Sequence, residues 1–579
     1  MEFKSLFRKK SIHQIQADFA TGYGDSEKPG GLRRTLSLRD LTVFGIAAII
    51  GGGIFTSVGA ASANGGPAII LLYLGIAVAC GFAAVCYAEF ASMIPIAGSA
   101  YTYSYAAFGE IIAWIIGWDL LMEYSIGNIA VAIPWSTYFT TFLEGFNIHV
   151  ADAFTTDYMS AHKGFNAVSE MLSSGTTLDS ITDRNLMENY NAWLNAPKIA
   201  GLRFIADIPA ICIVILITYI VYRGIKESRT TGNLLVLFKL IVLMVVIALG
   251  GWYVNPDNWN PFSPEGALGV LKGVNGVFFA YIGFDAISTT AEEAKNPQRD
   301  LPRSMMYSLV ICAVLYALIA LVLTGMIHYK NLNVPDPIAE VFKGRNMDWF
   351  VGVISFSAII ATTSVLLVFQ LGQPRIWMSM SRDGLLPKKF SDIHPKYKTP
   401  AFATIITGLF VAVPILFLNY NWVLDLASLG TLAAFALVCG GLLILHTKKD
   451  LPDRKFKVTQ IDAKFYFPIA VAIMFWFIYE VRPDLFDSIS NGTATLKLIY
   501  HHTPLLFFML MCVVLCVYAF IRRLSLIPAI GLMMCAYLMT ESNIKAWERF
   551  MLWMSIGLII YFGYSYWNSK LNKSKETNS

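Results

Sequence analysis

Long apolar stretches separated by short polar connections run along almost the whole chain. A helix needs about 20 mainly apolar residues to cross a membrane. The pattern predicts fourteen such segments: 40–63, 67–93, 106–143, 204–222, 231–253, 267–290, 304–327, 348–377, 401–419, 422–445, 465–480, 503–521, 524–540 and 547–567. The third and eighth are long enough to tilt or to extend past the bilayer. A membrane β-barrel would instead show short segments of alternating polarity, so the pattern predicts an all-α polytopic membrane protein.

Two of these helices are interrupted at matching places. The first carries Gly51, Gly52 and Gly53 in the middle of an apolar run, and the second is broken within 277–285. Each glycine costs a helix about 1 kcal/mol relative to alanine, and unwound backbone in a membrane must face protein or a water-filled cavity. Such a pair of breaks is typical of a transporter's substrate site. The alternative is close helix packing through small residues.

The first five predicted spans form one half and the next five form a second half that begins on the opposite side of the membrane. This predicts an inverted repeat in which each half opens with a broken helix. The loop at 144–203 is a polar insertion without a readable motif. The predicted organisation is a cytoplasmic segment 1–39, a first repeat 40–254 containing the extracytoplasmic loop 144–203, a second repeat 266–446, four additional helices 465–567 and a cytoplasmic tail 568–579.

Composition and charge agree with this organisation. The chain is 56% hydrophobic and only 14% charged, whereas a soluble protein is about a quarter charged; disorder and nucleic-acid binding are excluded on this ground. Segments on the side of the N terminus hold 31 Lys and Arg residues against 11 in the opposite loops, which predicts that both termini are cytoplasmic. The eight cysteines lie in apolar stretches, and no pattern indicates a disulfide framework or a metal site.

Broken helices also carry a chemical prediction. A break exposes N–H groups at the new N-terminus and C=O groups at the new C-terminus. The N–H groups attract carboxylate and the C=O groups attract ammonium, each helped by the helix dipole. One pair of breaks therefore suits the zwitterionic backbone of an amino acid, and glycines allow the ligand to approach the backbone closely.

Four stretches resemble the amino acid–polyamine–organocation superfamily. The stretch from Gly45 to Phe55 resembles the first-span signature of this superfamily, and 86–103 resembles its second-span motif. Similarity to the cationic amino acid transporter branch lies in 278–302, the most specific stretch, and in 380–387. The resemblance covers about residues 35–450, and fourteen spans suit that branch better than twelve. It implies a leucine-transporter-type fold with a 5+5 inverted repeat and alternating access.

The resemblance also implies a set of substrate contacts. The substrate carboxylate would meet the N–H groups of Gly52 and Gly53. The ammonium would meet the carbonyls of Ile49 in the first break and of Phe279, Ala280 and Ile282 in the second. Relatives often carry Ser, Thr or Ala where this chain has Gly52, so a hydroxyl contact is absent here. The predicted substrate-binding residues are Ile49, Gly51, Gly52, Gly53, Ile54, Glu123, Phe279, Ala280, Tyr281, Ile282 and Thr362.

Ionisable residues within the spans are functional candidates by default. Lys239 lies about 13 Å into the fifth span at 1.5 Å per residue. The resemblance implies that it takes the place of a coupling sodium ion; the alternative is a permanently charged structural pin. Glu123 shares a helix face with Asp119. It is predicted either to attract a cationic group of the substrate or to pack as a hydrogen-bonded carboxylate. Thr362 falls where the branch's substrate side chain points.

Taken together, the residues and the resemblance predict a secondary active amino acid transporter, coupled to protons as a symporter. Its substrates would be cationic (arginine, lysine, ornithine) or broadly neutral L-amino acids. An exchanger and a transport-inactive sensor or scaffold on the same fold are the alternatives. The sequence predicts no enzyme activity, catalytic residue, cofactor, metal or nucleic-acid partner. Substrate, protons and membrane lipid are the expected partners in the plasma membrane (the inner membrane if the source is bacterial), and the oligomeric state stays open.

Overall fold

A computed structural model describes residues 6–10, 35–94, 99–181, 183–199, 201–224, 229–334, 336–343, 345, 347–447, 454–490 and 495–572. Of the predicted terminal segments, residues 1–5, 11–34 and 573–579 lie outside this description. The described residues form helices joined by short connections, with one two-stranded ribbon. Eight helical stretches among them are long and apolar enough to cross a membrane by length and composition, and three further apolar helices are shorter.

Each of the fourteen predicted apolar segments coincides with a helix or an interrupted helix. In the first part of the chain these and the intervening helices are α1 (Leu38–Ile49), α2 (Gly52–Gly65), α3 (Ile69–Met93), α4 (Ser99–Ala107), α5 (Glu110–Glu144), α6 (Tyr158–Ser173), α7 (Arg184–Asn195), α8 (Ile208–Arg223) and α9 (Arg229–Trp252). The strands β1 (Lys198–Ile199) and β2 (Leu202–Arg203) pair antiparallel between α7 and α8.

The second part begins with another interrupted helix. Its elements are α10 (Gly266–Leu271), α11 (Val274–Phe279), a 3-10 helix (Phe284–Glu293), α12 (Pro297–Met326), α13 (Pro337–Glu340), α14 (Asp348–Arg382), α15 (Ala401–Ile415) and α16 (Tyr420–His446). The predicted third and eighth segments, expected to be long, are α5 and α14, with 35 residues each. These two helices pack against each other along the centre of the protein.

The last apolar segments pack on the outside of α16 and α3. They comprise α17 (Ala463–Val481), α18 (Pro483–Ser490), α19 (Leu496–His501), α20 (Thr503–Arg522), α21 (Leu526–Thr540), α22 (Ile544–Ile560), a π-helical turn (Tyr561–Ser565) and α23 (Tyr566–Asn568). α21 contacts both α16 and α3, whereas α20 contacts α17 and α21. The short 3-10 turns are Gly66–Ala68, Asp152–Phe154, Leu178–Ser180, Pro256–Trp259, Tyr329–Leu332 and Lys388–Phe390.

The region predicted as a polar loop at 144–203 contains the helical hairpin α6–α7. Each helix is capped by an aspartate, since Asp157 accepts from the Ser160 N–H at 2.8 Å and Asp183 accepts from the Leu186 N–H at 3.0 Å. Such caps stabilise a helix by about 1 kcal/mol. The hairpin has a small apolar core of its own and is joined to the connection between α15 and α16, where the Asn419 amide donates to Ser160 Oγ at 2.6 Å.

Glu110 at the start of α5 is fully buried and joins both ends of the chain. It accepts hydrogen bonds from Tyr105 at 3.0 Å and from Tyr561 at 3.1 Å. Arg8 of the N-terminal segment lies 3.7 Å away as its ion-pair partner, and Ser569 donates to it from the end of the described chain. These contacts hold Arg8 and Ser569 beneath the same helix end.

Glu89, near the end of α3, is the second fully buried carboxylate with several partners. His446 Nε2 lies 3.0 Å from its Oε1, and the Arg454 guanidinium donates to the same oxygen. The Val458 N–H donates to the other oxygen at 2.9 Å. Glu89 therefore ties the chain that follows α16 to the end of α3.

Substituting Glu89→Gln should lower the thermal unfolding temperature of the purified protein by several degrees. The amide keeps the size of the side chain, but it leaves the buried Arg454 without its counter-charge, and removing one partner of a buried pair costs about 3–5 kcal/mol. The matched control is Glu265→Gln, whose partner Lys272 lies 2.7 Å away on the exposed surface. Exposed pairs contribute about 0–1 kcal/mol; equal shifts for the two variants would contradict a stabilising role for Glu89.

Candidate functional site

The first break separates α1 from α2 by two residues. Ile50 still donates its N–H to the Ile46 carbonyl, and Gly51 is extended, with φ −136° and ψ −152°. α2 then restarts at Gly52. The first N–H groups of any helix have no partner within it, so the N–H groups at Gly52 and Gly53 point out of the new helix end toward the break.

The second break lies between α11 and the 3-10 helix. α11 ends at Phe279, and the chain turns through 280–283 before the 3-10 helix begins. Gly283 has φ +117°, a conformation that only glycine adopts without strain. A Cβ at this position would also lie 2.7 Å from the Ala48 carbonyl oxygen of α1. Glycine is therefore needed here for the turn and for the close approach to α1.

The two breaks touch through their backbones. A Cβ added to Gly53 would lie 2.5 Å from Ala280 Cα, closer than real contacts allow, and a Cβ on Gly51 would lie 2.6 Å from the Val365 side chain of α14. The close-packing interpretation of the glycine run thus describes a real feature of Gly51 and Gly53. Packing brings the end of α11 directly against the start of α2.

Gly52 has different surroundings from its two neighbours. Its added Cβ would meet ring carbons of Pro134 in α5 at 3.3 Å and the Thr362 methyl of α14 at 3.5 Å. Thr362 donates its hydroxyl to the Ala358 carbonyl of its own helix at 2.6 Å, which leaves its methyl group toward Gly52. The structure thus places the predicted residues Gly52, Gly53, Ala280 and Thr362 together.

Carbonyl groups at the end of α1 are covered by two side chains. Lys239 of α9 is fully buried and donates to the Ala47 carbonyl at 3.1 Å and the Ile50 carbonyl at 2.9 Å. Tyr316 of α12 donates to the Ile49 carbonyl at 3.0 Å. Lys239 therefore holds the first break from the outside, which is the contact expected both of a coupling cation and of a structural pin.

Tyr316 was not predicted from the sequence, and it changes the view of Ile49. The Ile49 carbonyl, predicted to receive the substrate ammonium, already accepts one hydrogen bond and keeps one lone pair. Tyr281 belongs to the same aromatic cluster: its ring lies 5.2 Å from that of Tyr316, and its hydroxyl donates to the Tyr73 carbonyl at 3.1 Å. The Tyr281 side chain is thus occupied by packing and by this hydrogen bond, so only its backbone can contact a substrate at the second break. Among the remaining predicted residues, Ile54, Phe279 and Ile282 are buried apolar positions.

A second polar cluster lies within the helices around Glu123. Asp119 and Asp285 are its electrostatic neighbours, and all three are buried. Among the described residues, neither oxygen of Asp119 has a hydrogen-bond partner, and the same holds for Glu123 Oε2 and for the hydroxyls of Tyr87 and Tyr124. Buried unpaired carboxylates are unfavourable, so this cluster requires protons or a cation.

Glu123 lies at some distance along α5 from the residues that surround Gly52. It lies eleven residues before Pro134, which contacts Gly52, and this corresponds to about 16 Å along the helix axis at 1.5 Å per residue. If Glu123 attracts a cationic group of the substrate, as predicted, it does so near Asp285 and not beside Gly52. Sequence reasoning did not single out Asp285; its place directly after Gly283 and Phe284, at the start of the 3-10 helix, was the available signal.

Comparison with known proteins agrees with the motifs. A family model described as amino acid permease matches residues 36–560. The methylthioribose transporter of Bacillus subtilis is 41% identical over 82% of this chain and 93% of its own length, and the branched-chain amino acid permease BcaP of the same organism is 35% identical over 98% and 99%. The vacuolar cationic amino acid transporter 2 of Arabidopsis thaliana is 35% identical over 76% of this chain and 63% of its own. These matches confirm the family predicted from the motifs.

Substituting Gly53→Ala should reduce substrate uptake at least ten-fold, because its methyl group would force the Ala280 backbone away from α2. Uptake would be measured in proteoliposomes with a substrate that the wild type carries. The matched control is Gly75→Ala on α3, where an added Cβ meets nothing within 4 Å. Wild-type uptake by Gly53→Ala would show that contact between the breaks is not needed for the site.

Proposed function

We propose that this chain, which belongs to the amino acid permease family, is a secondary active amino acid transporter working by proton-coupled symport. Its fold would be of the leucine-transporter type: two inverted five-helix repeats, opening with α1–α2 and with α10–α11 and the 3-10 helix, followed by four additional helices. Fourteen spans with both termini cytoplasmic fit the distribution of Lys and Arg. The plasma membrane is the expected location.

The observation that carries this proposal is the backbone contact between the two breaks. Gly53 meets Ala280, and Gly283 meets the Ala48 carbonyl of α1. Helix N-terminal N–H groups and unwound carbonyls are thereby brought to one place inside the bundle. This is the arrangement that binds a carboxylate and an ammonium group of a single small ligand.

In this mechanism the substrate carboxylate binds at the N–H groups of Gly52 and Gly53. The ammonium binds carbonyls of the turn at 280–282, helped by the free lone pair of the Ile49 carbonyl. Lys239 holds the end of α1 through the Ala47 and Ile50 carbonyls. A change in the charge of Lys239 would alter this hold, and α1 would then move relative to α9, which links proton movement to alternating access.

Substrate specificity is proposed to depend on the space beside Thr362. A small residue there leaves room for a long side chain next to Gly52. The carboxyl groups around Glu123 favour cationic substrates by charge, and the relatives named cationic amino acid transporters agree with this. An arginine side chain bound at Gly52 does not span 16 Å, so the attraction would act without a direct ion pair with Glu123. Broadly neutral L-amino acids remain the alternative substrates.

A second candidate substrate is methylthioribose, favoured by the relative that is 41% identical to this chain and is named for it. This compound has neither carboxylate nor ammonium, so it would meet the N–H groups and carbonyls of the breaks only through neutral hydroxyl groups. An uptake panel containing arginine, alanine, leucine and methylthioribose distinguishes these substrates. Exchange without net accumulation under an imposed proton gradient would indicate an antiporter, and no uptake or exchange of any compound in the panel would favour a sensor or scaffold.

Substituting Lys239→Ala should abolish accumulation of substrate driven by an imposed pH gradient, because the cation between α1 and α9 is lost. Counterflow exchange, measured in the same proteoliposomes, should persist at a reduced rate if the fold is kept. The matched control is Lys272→Ala, which removes an exposed lysine paired with Glu265. Continued accumulation by Lys239→Ala would mean that Lys239 is only a pin or is dispensable.

Substituting Thr362→Met should cause preferential loss of arginine uptake while alanine uptake is kept, because the longer side chain fills the space beside Gly52. Labelled arginine and alanine would each be challenged by the other, with Ser364→Met on the same helix as control. Arginine that is neither carried nor competing in the wild type would refute the cationic assignment. Equal loss of both substrates in Thr362→Met would remove Thr362 from the specificity argument.

A further inference from the structure

A large apolar groove lies outside the bundle that holds the two breaks. It is formed between α16, α20 and α21, is closed at one end by α22, and has a volume of about 1290 Å³. On its rim the Phe507 side chain is 72% exposed and the Tyr518 side chain is 49% exposed. The groove is therefore open along the outer surface of the protein.

Sequence explains why these helices leave a groove. On α20 the lining residues recur every three or four positions, which places them on one face: Thr503, Phe507, Met511, Leu515, Tyr518 and Arg522. The facing wall of α16 includes the small residues Ala433, Ala436 and Gly440 beside Leu437, Leu443 and Ile444. An added Cβ at Gly440 would meet only ordinary contacts, with Phe108 at 3.7 Å and Leu532 at 4.0 Å. The small residues thus widen the space between the two helices.

The dimensions of the groove match a lipid environment. α20 has 20 residues and is about 30 Å long, which equals the hydrocarbon thickness of a bilayer. Gly440 lies seven residues before Thr447, so it is about 10 Å from the end of the groove marked by Thr447 and Arg522. The wall at Gly440 therefore belongs to the leaflet on the Arg522 side.

The two ends of the groove differ in charge. At one end Glu548 accepts a hydrogen bond from the hydroxyl of Tyr500, so this carboxylate has a partner. At the other end Arg522 lines the groove in the last turn of α20, and among the described residues its side chain makes no hydrogen bond or ion pair. A guanidinium at the membrane surface, above an apolar channel, is suited to a phosphate.

We propose that this groove binds an anionic phospholipid, with its phosphate at Arg522 and its acyl chains along the wall formed by Ala436 and Gly440. The apolar walls take the chains, and the Arg522 guanidinium at the rim selects the headgroup. The site is independent of the substrate site and of the transport mechanism proposed above.

The test compares retention of phosphatidylglycerol and phosphatidylcholine with identical acyl chains by native mass spectrometry of the purified full-length protein. The wild type should prefer phosphatidylglycerol, and Arg522→Gln should lower this preference at least five-fold. The neighbouring Arg523→Gln is the matched control, because this exposed arginine lies 4.0 Å from Asp462. Equal preference in the wild type, or an unchanged preference in Arg522→Gln, would overturn the headgroup assignment.

The acyl-chain site is tested by Gly440→Phe, with Gly440→Leu as a smaller variant, against Gly75→Phe in open space on α3. Filling the groove should remove retention of both lipids, and added phosphatidylglycerol should no longer raise the unfolding temperature, whereas Gly75→Phe should behave as wild type. Unchanged retention in folded Gly440 variants would overturn the proposal. A dimer that these variants dissociate while lipid retention is unchanged would show instead that a second copy covers the groove.

Discussion

Inside an apolar bundle, each peptide group that leaves a helix must find a new partner, and this requirement governs the centre of the protein. Breaking the helix after Ile49 frees carbonyl groups that no intrahelical N–H can reach. Lys239 from α9 and Tyr316 from α12 supply the missing donors. The break thus depends on contacts of α1 with both α9 and α12. A movement of α9 or α12 that broke these hydrogen bonds would leave carbonyl groups at the end of α1 without partners.

The glycines at the breaks allow neighbouring helices to pack closely. Gly51 and Gly53 are fixed by Val365 and Ala280, and this contact brings the exposed backbone of the two breaks together. Gly52 faces Pro134 and Thr362, and an added Cβ would lie farther from its neighbours there than at Gly51 or Gly53. Close packing and ligand approach were alternatives for the sequence pattern. The structure shows the packing of Gly51 and Gly53, and our proposal adds ligand approach at Gly52 and Gly53.

The sequence predicted those features that depend on neighbouring residues in the chain. Helix positions followed from apolar length, and both breaks followed from glycine placed where a helix would exclude it. The cover over the Ile49 carbonyl came from Tyr316, 267 positions away, and no local signal distinguishes that tyrosine from those that only pack. The hairpin α6–α7 was missed because its polar surface masked a narrow apolar stripe. Asp285 lay within a recognised motif, but its proximity to Glu123 depends on how α5 and the 3-10 helix are placed.

The position of Glu110 has a consequence for biosynthesis. Arg8 is made before this residue, whereas Tyr561 and Ser569 are made about 450 residues later. While the ribosome synthesises the intervening spans, the carboxylate has Tyr105 as a hydroxyl donor but lacks Tyr561 and Ser569. At a few residues per second to about 20 per second, this interval lasts tens of seconds or longer. The last helix thus completes the burial of Glu110, and a chain released before it would leave this carboxylate with only part of its partners.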